Sequence, residues 1–446
     1  MEAEAVKHID LAMNLHAEQN EGKAEGLAEE RRHKARPYAV TGPPGSGKTR
    51  RAKNLIRYTC AKGGQVLLTS PTGQMQSRLR AELQEEGLHV DVDTCHGAFA
   101  LHKRSQDALV VVEHYDLLIV DEFPQLSAEH FDRIIQVWNN AGKIPYLLFL
   151  GDFHQLPSIA GTNAKNSGFW KTVKKVSFDT CHRSADWLLL RKLKALRKSV
   201  PRKTMRNAIL RGHKAWSHPG PPTTQELRKL YRDMDQAGKR TTIVTCTKRA
   251  AQQVNALSAE VLLGTRRVLV ELPADYEANP ANFASNGKLL KDKKPQPSRI
   301  EIKKGMRLHL TKNVDKAGDF VNGMEAEVRS WDAASRCLRV KTVTGKDIAI
   351  FQYTDPSPEA QNCSYFPIRL GYASTIYKMQ GAELDHVTIF LDRPGQKAAA
   401  YVAMSRVKSN EDYLLEVTTS ANILCQIVDR RRTTQESNSQ ASRQVG

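Results

Sequence analysis

Within 446 residues no uninterrupted apolar stretch approaches the ~20 that a membrane-crossing helix needs, which argues against an integral membrane protein. The opening MEAEAVKHIDLAMNLHAEQ has acidic residues but no basic n-region and no long apolar h-region, so it does not read as a secretory signal. Cysteine is sparse: seven thiols lie far apart with no CxxC pair, which excludes a disulfide scaffold or a zinc ribbon and fits an intracellular protein with reduced thiols. Cys95-His96 and Cys181-His182 are adjacent pairs, and neighbouring side chains rarely chelate one ion. No repeat of fixed period occurs. Acidic residues are also in deficit, with 48 Asp and Glu against 67 Lys and Arg, for a net charge of +19 and a pI near 9.6. An excess of that size concentrates polyanions at the surface, and nucleic acid is the commonest of these. The densest basic stretch, RKLKALRKSVPRKTMR (Arg191 to Arg206), contains no acid.

Short apolar runs then alternate with helical patterns. The runs YAVT (38–41), VLLT (66–69), LLIV (117–120) and YLLFL (146–150) suit strands buried on both faces of a parallel sheet. Met75, Leu79 and Leu83 recur at helical spacing, with Thr72 placed to cap the start and Gly87 the end. Phe131, Ile134, Ile135 and Trp138 make a second amphipathic helix behind Ser127. Such alternation predicts an open α/β fold with a doubly wound parallel sheet. TTIVTC (241–246) and VTIFL (387–391) begin a second set after about residue 178. Residues 265–304 show no clear period, and 305–355 read as short strands with Asn-Gly and Thr-Gly turns, a small β module. The first 36 residues read as helix and the last stretch, 429–446, as disordered.

Gly42-Pro43-Pro44-Gly45-Ser46-Gly47-Lys48-Thr49 follows a strand and precedes a helical stretch, the setting that the GxxxxGK[ST] pattern requires. Glycines let backbone N–H groups turn toward phosphates, Lys48 reaches the β- and γ-phosphates, and Thr49 ligates Mg²⁺. The pattern therefore points to ATP and magnesium. Asp121 and Glu122 follow the apolar LLIV abruptly; Asp121 suits the metal's shell and Glu122 the attacking water, though two acids there also suit a helix cap. Gln155, in GDFHQLP after a third strand, carries an amide able to sense the γ-phosphate.

GPPGSGKT, SPTGQMQSRL, TCHGAF, VDEF, GDFHQLPSIAG, FDTCHRS, NVDKAGDFVNGMEAEV, YASTIYKMQGAELDHV and YVAMSRV together resemble superfamily 1 helicases, most closely the Pif1/RecD-like branch, over most of residues 38 to 407. The resemblance implies two RecA-like domains that face each other across one ATP. The first would span 37–177, with a short pin at about 96–115. The second would comprise 178–262 and 366–428, interrupted by an irregular insertion at 263–304 and an SH3-like one at 305–365. Arg183 and Arg406 would be arginine fingers from the second domain, with Gln380 and Gly381 beside the nucleotide; an Arg fork suits the charge that develops on a transferred phosphoryl. Single-stranded nucleic acid, DNA by preference, would cross Pro71, Thr72, Thr94, His96 and Phe99 on the first domain and Thr375 and Lys378 on the second. Phe99 fits a core position as readily as a stacking one. Tyr377 and Met379 stand where the family commonly has His and Ser, and Gln19 is the candidate for reading adenine. The activity implied is an ATP-dependent helicase moving 5′→3′. An RNA helicase or a translocase without strand separation would share its catalytic residues, whereas a non-catalytic binder or a small-molecule kinase fits the blocks poorly.

Overall fold

The computed structural model describes residues 36–417 apart from 89, 102–111, 159–160, 199–200, 285–288, 291–292, 316–317, 394–395 and 397. The readings of an N-terminal helix, of Gln19, of the middle of the pin and of a disordered tail lie outside the described residues. The chain divides into two compact units between Ser184 and Ala185.

In the first unit the four apolar runs become strands β1 (Tyr38–Thr41), β2 (Val66–Ser70), β4 (Leu117–Val120) and β5 (Tyr146–Gly151), and two further strands, β3 (Asp91–Thr94) and β6 (Lys174–Ser177), form where no apolar run stands. All pair in parallel in the order β3-β2-β4-β5-β1-β6. Helices α1 (Lys48–Ala61), α2 (Gly73–Glu85), α3 (Cys95–Ala98) and α4 (Ala128–Asn140) connect them. The runs are continuous because successive residues serve opposite faces. Ala39, Leu67, Leu118 and Leu147 join one core with Phe131, Ile134 and Trp138 of α4. Their neighbours Val40, Leu68, Ile119 and Leu148 join another with Leu55 and Ile56 of α1 and Leu79 and Leu83 of α2. Caps set the helix ends as the sequence suggests: Ser127 Oγ accepts from His130 N at 3.2 Å, and Gly87 takes the left-handed conformation after α2 (φ 70°).

The second unit contains helices α5 (Trp187–Lys198), α6 (Lys203–Leu210), α7 (Thr224–Gln236), α8 (Lys248–Leu263) and α9 (Ala399–Met404). Its strands are β7 (Lys214–Trp216), β8 (Thr241–Thr245), β9 (Val268–Ala274), β10 (Ser298–Lys303), β11 (Arg307–Leu310), β12 (Glu325–Asp332), β13 (Cys337–Thr342), β14 (Asp347–Ile350), β15 (Tyr353–Thr354), β16 (Ser364–Tyr365), β17 (Ile368–Leu370), β18 (Ala373–Thr375), β19 (His386–Phe390) and β20 (Tyr413–Glu416). A second parallel sheet has the order β18-β8-β19-β20-β7, and an antiparallel sheet has the order β14-β13-β12-β11-β17. The fold is thus two RecA-like parallel sheets with a small β insertion in the second.

Two sequence readings need correction. The insertion read as irregular holds two strands at its ends: β9 and β10 form an antiparallel ribbon, and Leu272, Ile300 and Ile302 share one core with Leu308, Val328 and Leu338 of the β module. The first unit ends at Ser184, not at 177, because the chain after β6 turns back over the loop following β1: Phe178 N donates to Thr41 O at 2.7 Å and His182 N to Gly45 O at 2.6 Å. The basic stretch also contributes to the interior. Lys192 is 1% exposed, its ammonium donating to Asn410 Oδ1 and Tyr413 OH, both at 2.7 Å. Among the described residues no helix is long and apolar enough to cross a membrane.

Phe131 is fully buried between Phe123 and Phe149. Phe131→Ala should destabilise the first unit by about 3–5 kcal/mol, read as a lower denaturant midpoint at unchanged slope.

Candidate functional site

The loop between β1 and α1 is shaped by what surrounds it. Gly45 and Gly47 adopt φ of 75° and 87°, which L side chains resist. A Cβ on Gly45 would also fall 2.2 Å from Arg183 Cβ, so glycine is required there twice over. Lys48 is 7% exposed, and its Nζ donates to Gly42 O at 2.8 Å and Pro43 O at 2.9 Å. Burial lowers the pKa of this ammonium; the nearby carboxylates of Glu122, Asp152 and Asp121 oppose the shift, and Arg183 adds to it.

Those acids arrive on the ends of two neighbouring strands. Asp121 follows β4 and is 8% exposed; burial, then the charge of Glu122, pushes its carboxyl well above the ordinary range, with Lys48 opposing. Glu122 takes a left-handed backbone (φ 50°), strained for a non-glycine residue, and its buried Oε2 has no hydrogen-bond partner. Asp152 and Gln155 follow β5, which lies between β4 and β1, and both are almost fully buried (1% and 4%). The sequence reading passed over Asp152; a polar residue abruptly ending an apolar strand, the signal used for Asp121, would have found it.

These residues fit a magnesium–nucleotide. The loop has backbone built for phosphates, a buried ammonium at its end, and two orphaned oxygens nearby, Ser46 Oγ and Glu122 Oε2. Among the described residues no three His, Cys, Asp or Glu side chains form a metal cage. Mg²⁺ takes one or two protein oxygens and completes its shell with substrate phosphate and water.

Arg183 stands apart from its expected role. It belongs to the first unit, against Gly45, whereas the resemblance gave it to the second. Cys181 Sγ, two residues earlier, donates to Pro44 O at 3.1 Å, so this strap is tied to the loop at successive points.

In the second unit Gln380 is 4% exposed and neither Nε2 nor Oε1 finds a partner. Gly381 beside it has φ 77°. Arg406, at 1% exposure, is held by its own unit: Nε donates to Val402 O at 2.8 Å, Nη2 to Ser405 Oγ at 2.7 Å and Nη1 to Ala382 O at 3.3 Å.

The strand candidates divide. Phe99 is fully buried in the core with Val112, Tyr115 and Leu118, so its ring is packing and is not offered to bases. Thr72 and Thr94 are helix caps, accepting from Met75 N at 3.5 Å and Gly97 N at 3.1 Å, while Pro71 is half-buried just before the first cap. His96 is exposed, edge-on to His130 with centroids 4.9 Å apart. Thr375 and Lys378 line a pocket in the second unit together with Lys248, Arg369, Asp275 and Glu277. Asn255, which the sequence reading missed, fixes that pocket's floor: its Oδ1 accepts from Tyr372 N and Ala373 N, each at 2.7 Å, and its Nδ2 donates to Ala373 O at 2.9 Å. Burial, with Arg369 and Lys248 nearby, lowers the Lys378 ammonium to about 7.

Residues 14–218 match a family model described as an AAA domain. The chain is 25% identical over 307 residues to the ATP-dependent DNA helicase PIF1 of Danio rerio, covering 66% of this chain and 45% of that protein. It is 23% identical over 429 residues to the ATP-dependent DNA helicase PIF6 of Trypanosoma brucei brucei, covering 84% and 50%. It thus spans about half the length of these curated relatives. Its fold is similar to the crystal structure of Bacteroides Pif1 bound to ssDNA, with a TM-score of 0.62 at 16% identity over 94% of this chain and 98% of that one.

The raised pKa of Asp121 has a measurable consequence. A carboxyl whose folded value exceeds its unfolded value favours folding at low pH, and that advantage is lost between the unfolded value and the folded one as pH rises. Asp121→Asn should therefore melt about 2–4 °C above the parent at pH 8, for a gain of about 1 kcal/mol, and the gap should narrow steadily as pH falls toward the ordinary carboxyl value. Equal melting temperatures at pH 8 would remove the buried-charge account.

Proposed function

We infer that this chain is a Pif1-like helicase of superfamily 1, an ATP- and Mg²⁺-dependent motor that moves 5′→3′ on single-stranded DNA and parts duplexes. The observation that carries this reading is the convergence of Lys48, Asp121, Glu122 and Gln155 from three adjacent strand ends onto one phosphate loop. The choice of DNA draws support from relatives that are named DNA helicases and from the solved Pif1 bound to ssDNA.

The loop's backbone and Lys48 would hold the β- and γ-phosphates, and the ammonium's two carbonyl bonds are what a phosphate would replace. Magnesium, when bound through Thr49 and Asp121, supplies charge neutralisation to the phosphates. Glu122 Oε2 would accept the proton of the attacking water as its oxygen bonds the γ-phosphorus and the bond to the ADP oxygen breaks. An orphaned, buried carboxylate oxygen is suited to that task, because no existing hydrogen bond must first be broken. Gln155 would orient the water or sense the phosphate's departure. Arg183, against the loop, would act from the first unit. Gln380 and Arg406 would carry the second unit's response to the nucleotide. Thr375 and Lys378 would grip the strand's phosphates, with Pro71 and His96 along the first unit's share of the track.

On duplexes with a 5′ or a 3′ single-stranded DNA tail, and on their RNA counterparts, the 5′-tailed DNA should open fastest. Preference for the RNA, or hydrolysis without opening, would give the activity to the alternative classes. Lys48→Ala should abolish turnover yet keep strand binding, and Arg406→Ala should cut hydrolysis about 10³–10⁵-fold; near-normal hydrolysis in the latter would take Arg406 out of the reaction.

A second prediction concerns pH. Lys378 faces the cations Lys248 and Arg369 and the carboxylates of Asp275 and Glu277, and it titrates near 7. A bound phosphate favours the charged ammonium, so affinity is greatest below 7 and declines above it. Between pH 7 and 8 the affinity for a dT oligomer should drop about fivefold, and Lys378→Arg, which does not titrate there, should flatten the profile.

A further inference from the structure

The pocket around Lys378 has two kinds of wall. One comes from the blocks that resemble helicases: Ser374 and Thr375 at the end of β18, and Lys378 in the turn that follows. Lys248 at the start of α8 and Arg369 of β17 complete its basic side. Ser374 is 3% exposed, lines the pocket and leaves its Oγ without a hydrogen-bond partner. The other wall is the short turn Tyr276–Ala278 with Asp275 before it, which follows β9 in the insertion that no helicase block covers.

That turn is fastened to the basic wall. Glu277 Oε2 lies 3.0 Å from Lys248 Nζ, its carbonyl accepts from Gln252 Nε2 at 3.0 Å, and its N–H donates to Asp275 Oδ1 at 2.9 Å. The charges of Lys248, Lys378 and Arg369 together hold the Glu277 carboxyl below its ordinary range, against the opposing effect of its partial burial. Glu277 therefore pairs directly with Lys248 and, with Asp275, lies within electrostatic reach of Arg369 and Lys378, the cations that a backbone phosphate would need.

Resting on the reading of this pocket as part of the strand track, we propose that Glu277 is a built-in phosphate mimic, an acid supplied by the insertion that a single strand must displace to reach Lys248, Arg369 and Lys378. The competition has a thermodynamic signature. A strand phosphate that meets a bare cation releases about 0.7 of a condensed counterion, which steepens the salt dependence. Where Glu277 already neutralises Lys248, part of that release is replaced by the departing carboxylate. The mimic thus weakens binding and flattens its response to salt together.

The test is equilibrium binding of a fluorescent dT oligomer to the full chain across a salt series, by anisotropy. Glu277→Gln should bind about fivefold tighter, as expected for about 1 kcal/mol of lost like-charge repulsion in water, and the log–log salt slope should steepen by about 0.7. Glu301→Gln makes the same formal charge change at an exposed acid on β10 and should alter neither. Unchanged affinity and slope in Glu277→Gln would overturn the proposal, as would equal tightening in Glu301→Gln, which would mean diffuse electrostatics. Lys378→Ala separates the two layers of inference. If it weakens binding while Glu277→Gln does nothing, the track stands and the mimic fails; if it too leaves binding and slope unchanged, the strand assignment itself is wrong.

Discussion

Burying the Lys48 ammonium is the constraint on which the first unit's chemistry depends. An isolated cation in that position would be far too costly, so the fold surrounds it with carbonyls of its own loop and with carboxylates from adjacent strand ends. The arrangement works only because β5 lies between β4 and β1. That order brings Asp121, Glu122, Asp152 and Gln155 to one edge of the sheet, beside the loop that β1 feeds. Burial first, and then the charge of Glu122 beside it, pushes the Asp121 carboxyl upward. A site with an excess of buried acid and one buried cation is stabilised by an incoming dication and by phosphate, so stability is traded for affinity.

Much of this was legible because the relevant signals are local. A loop of fixed spacing between an apolar run and a helix carries its own context, and strands buried on both faces read as unbroken hydrophobic stretches. Asp121 and Glu122 were visible for the same reason. The failures were non-local. Nothing in CHRS says that the chain after β6 folds back over the loop, yet Cys181 and His182 are bonded to it and Arg183 joins the first unit. Phe99 sits in a recognisable motif, but whether an aromatic ring in a short helix faces solvent or core depends on packing that only the assembled sheet decides. Lys192 looked like one more cation in a basic run, and its neutral partners, Asn410 and Tyr413, lie more than 200 residues away in sequence.

The β9–β10 ribbon shows a different kind of blindness. Its two strands are separated by a loop rich in Pro, Asn and Lys, and β9 shows little alternation because several of its residues are only partly buried. Its role emerges from packing: the ribbon shares a core with the β module and ends in the turn that carries Asp275 and Glu277. Sequence blocks located Thr375 and Lys378 of the pocket, while Lys248, Arg369 and the acidic wall came from segments without any.

The contrast between Gln380 and Arg406 bears on how the second unit would respond to nucleotide. Both belong to blocks that resemble helicase motifs, and both are nearly inaccessible. Gln380 leaves its whole amide unsatisfied, an arrangement that costs free energy until a partner arrives. Arg406 is the reverse, with its guanidinium bonded to Val402, Ser405 and Ala382 within its own unit. A group in the first condition binds a new partner with no bond to break, whereas one in the second must exchange existing bonds for new ones. If both serve the nucleotide, Gln380 is the residue ready to bind and Arg406 the one that must be released, so the energetic barrier in this unit lies at the arginine. The Ala382 contact is the weakest of the three by distance and shares the Gln380 block, which makes that short segment the natural place for binding at one residue to loosen the other.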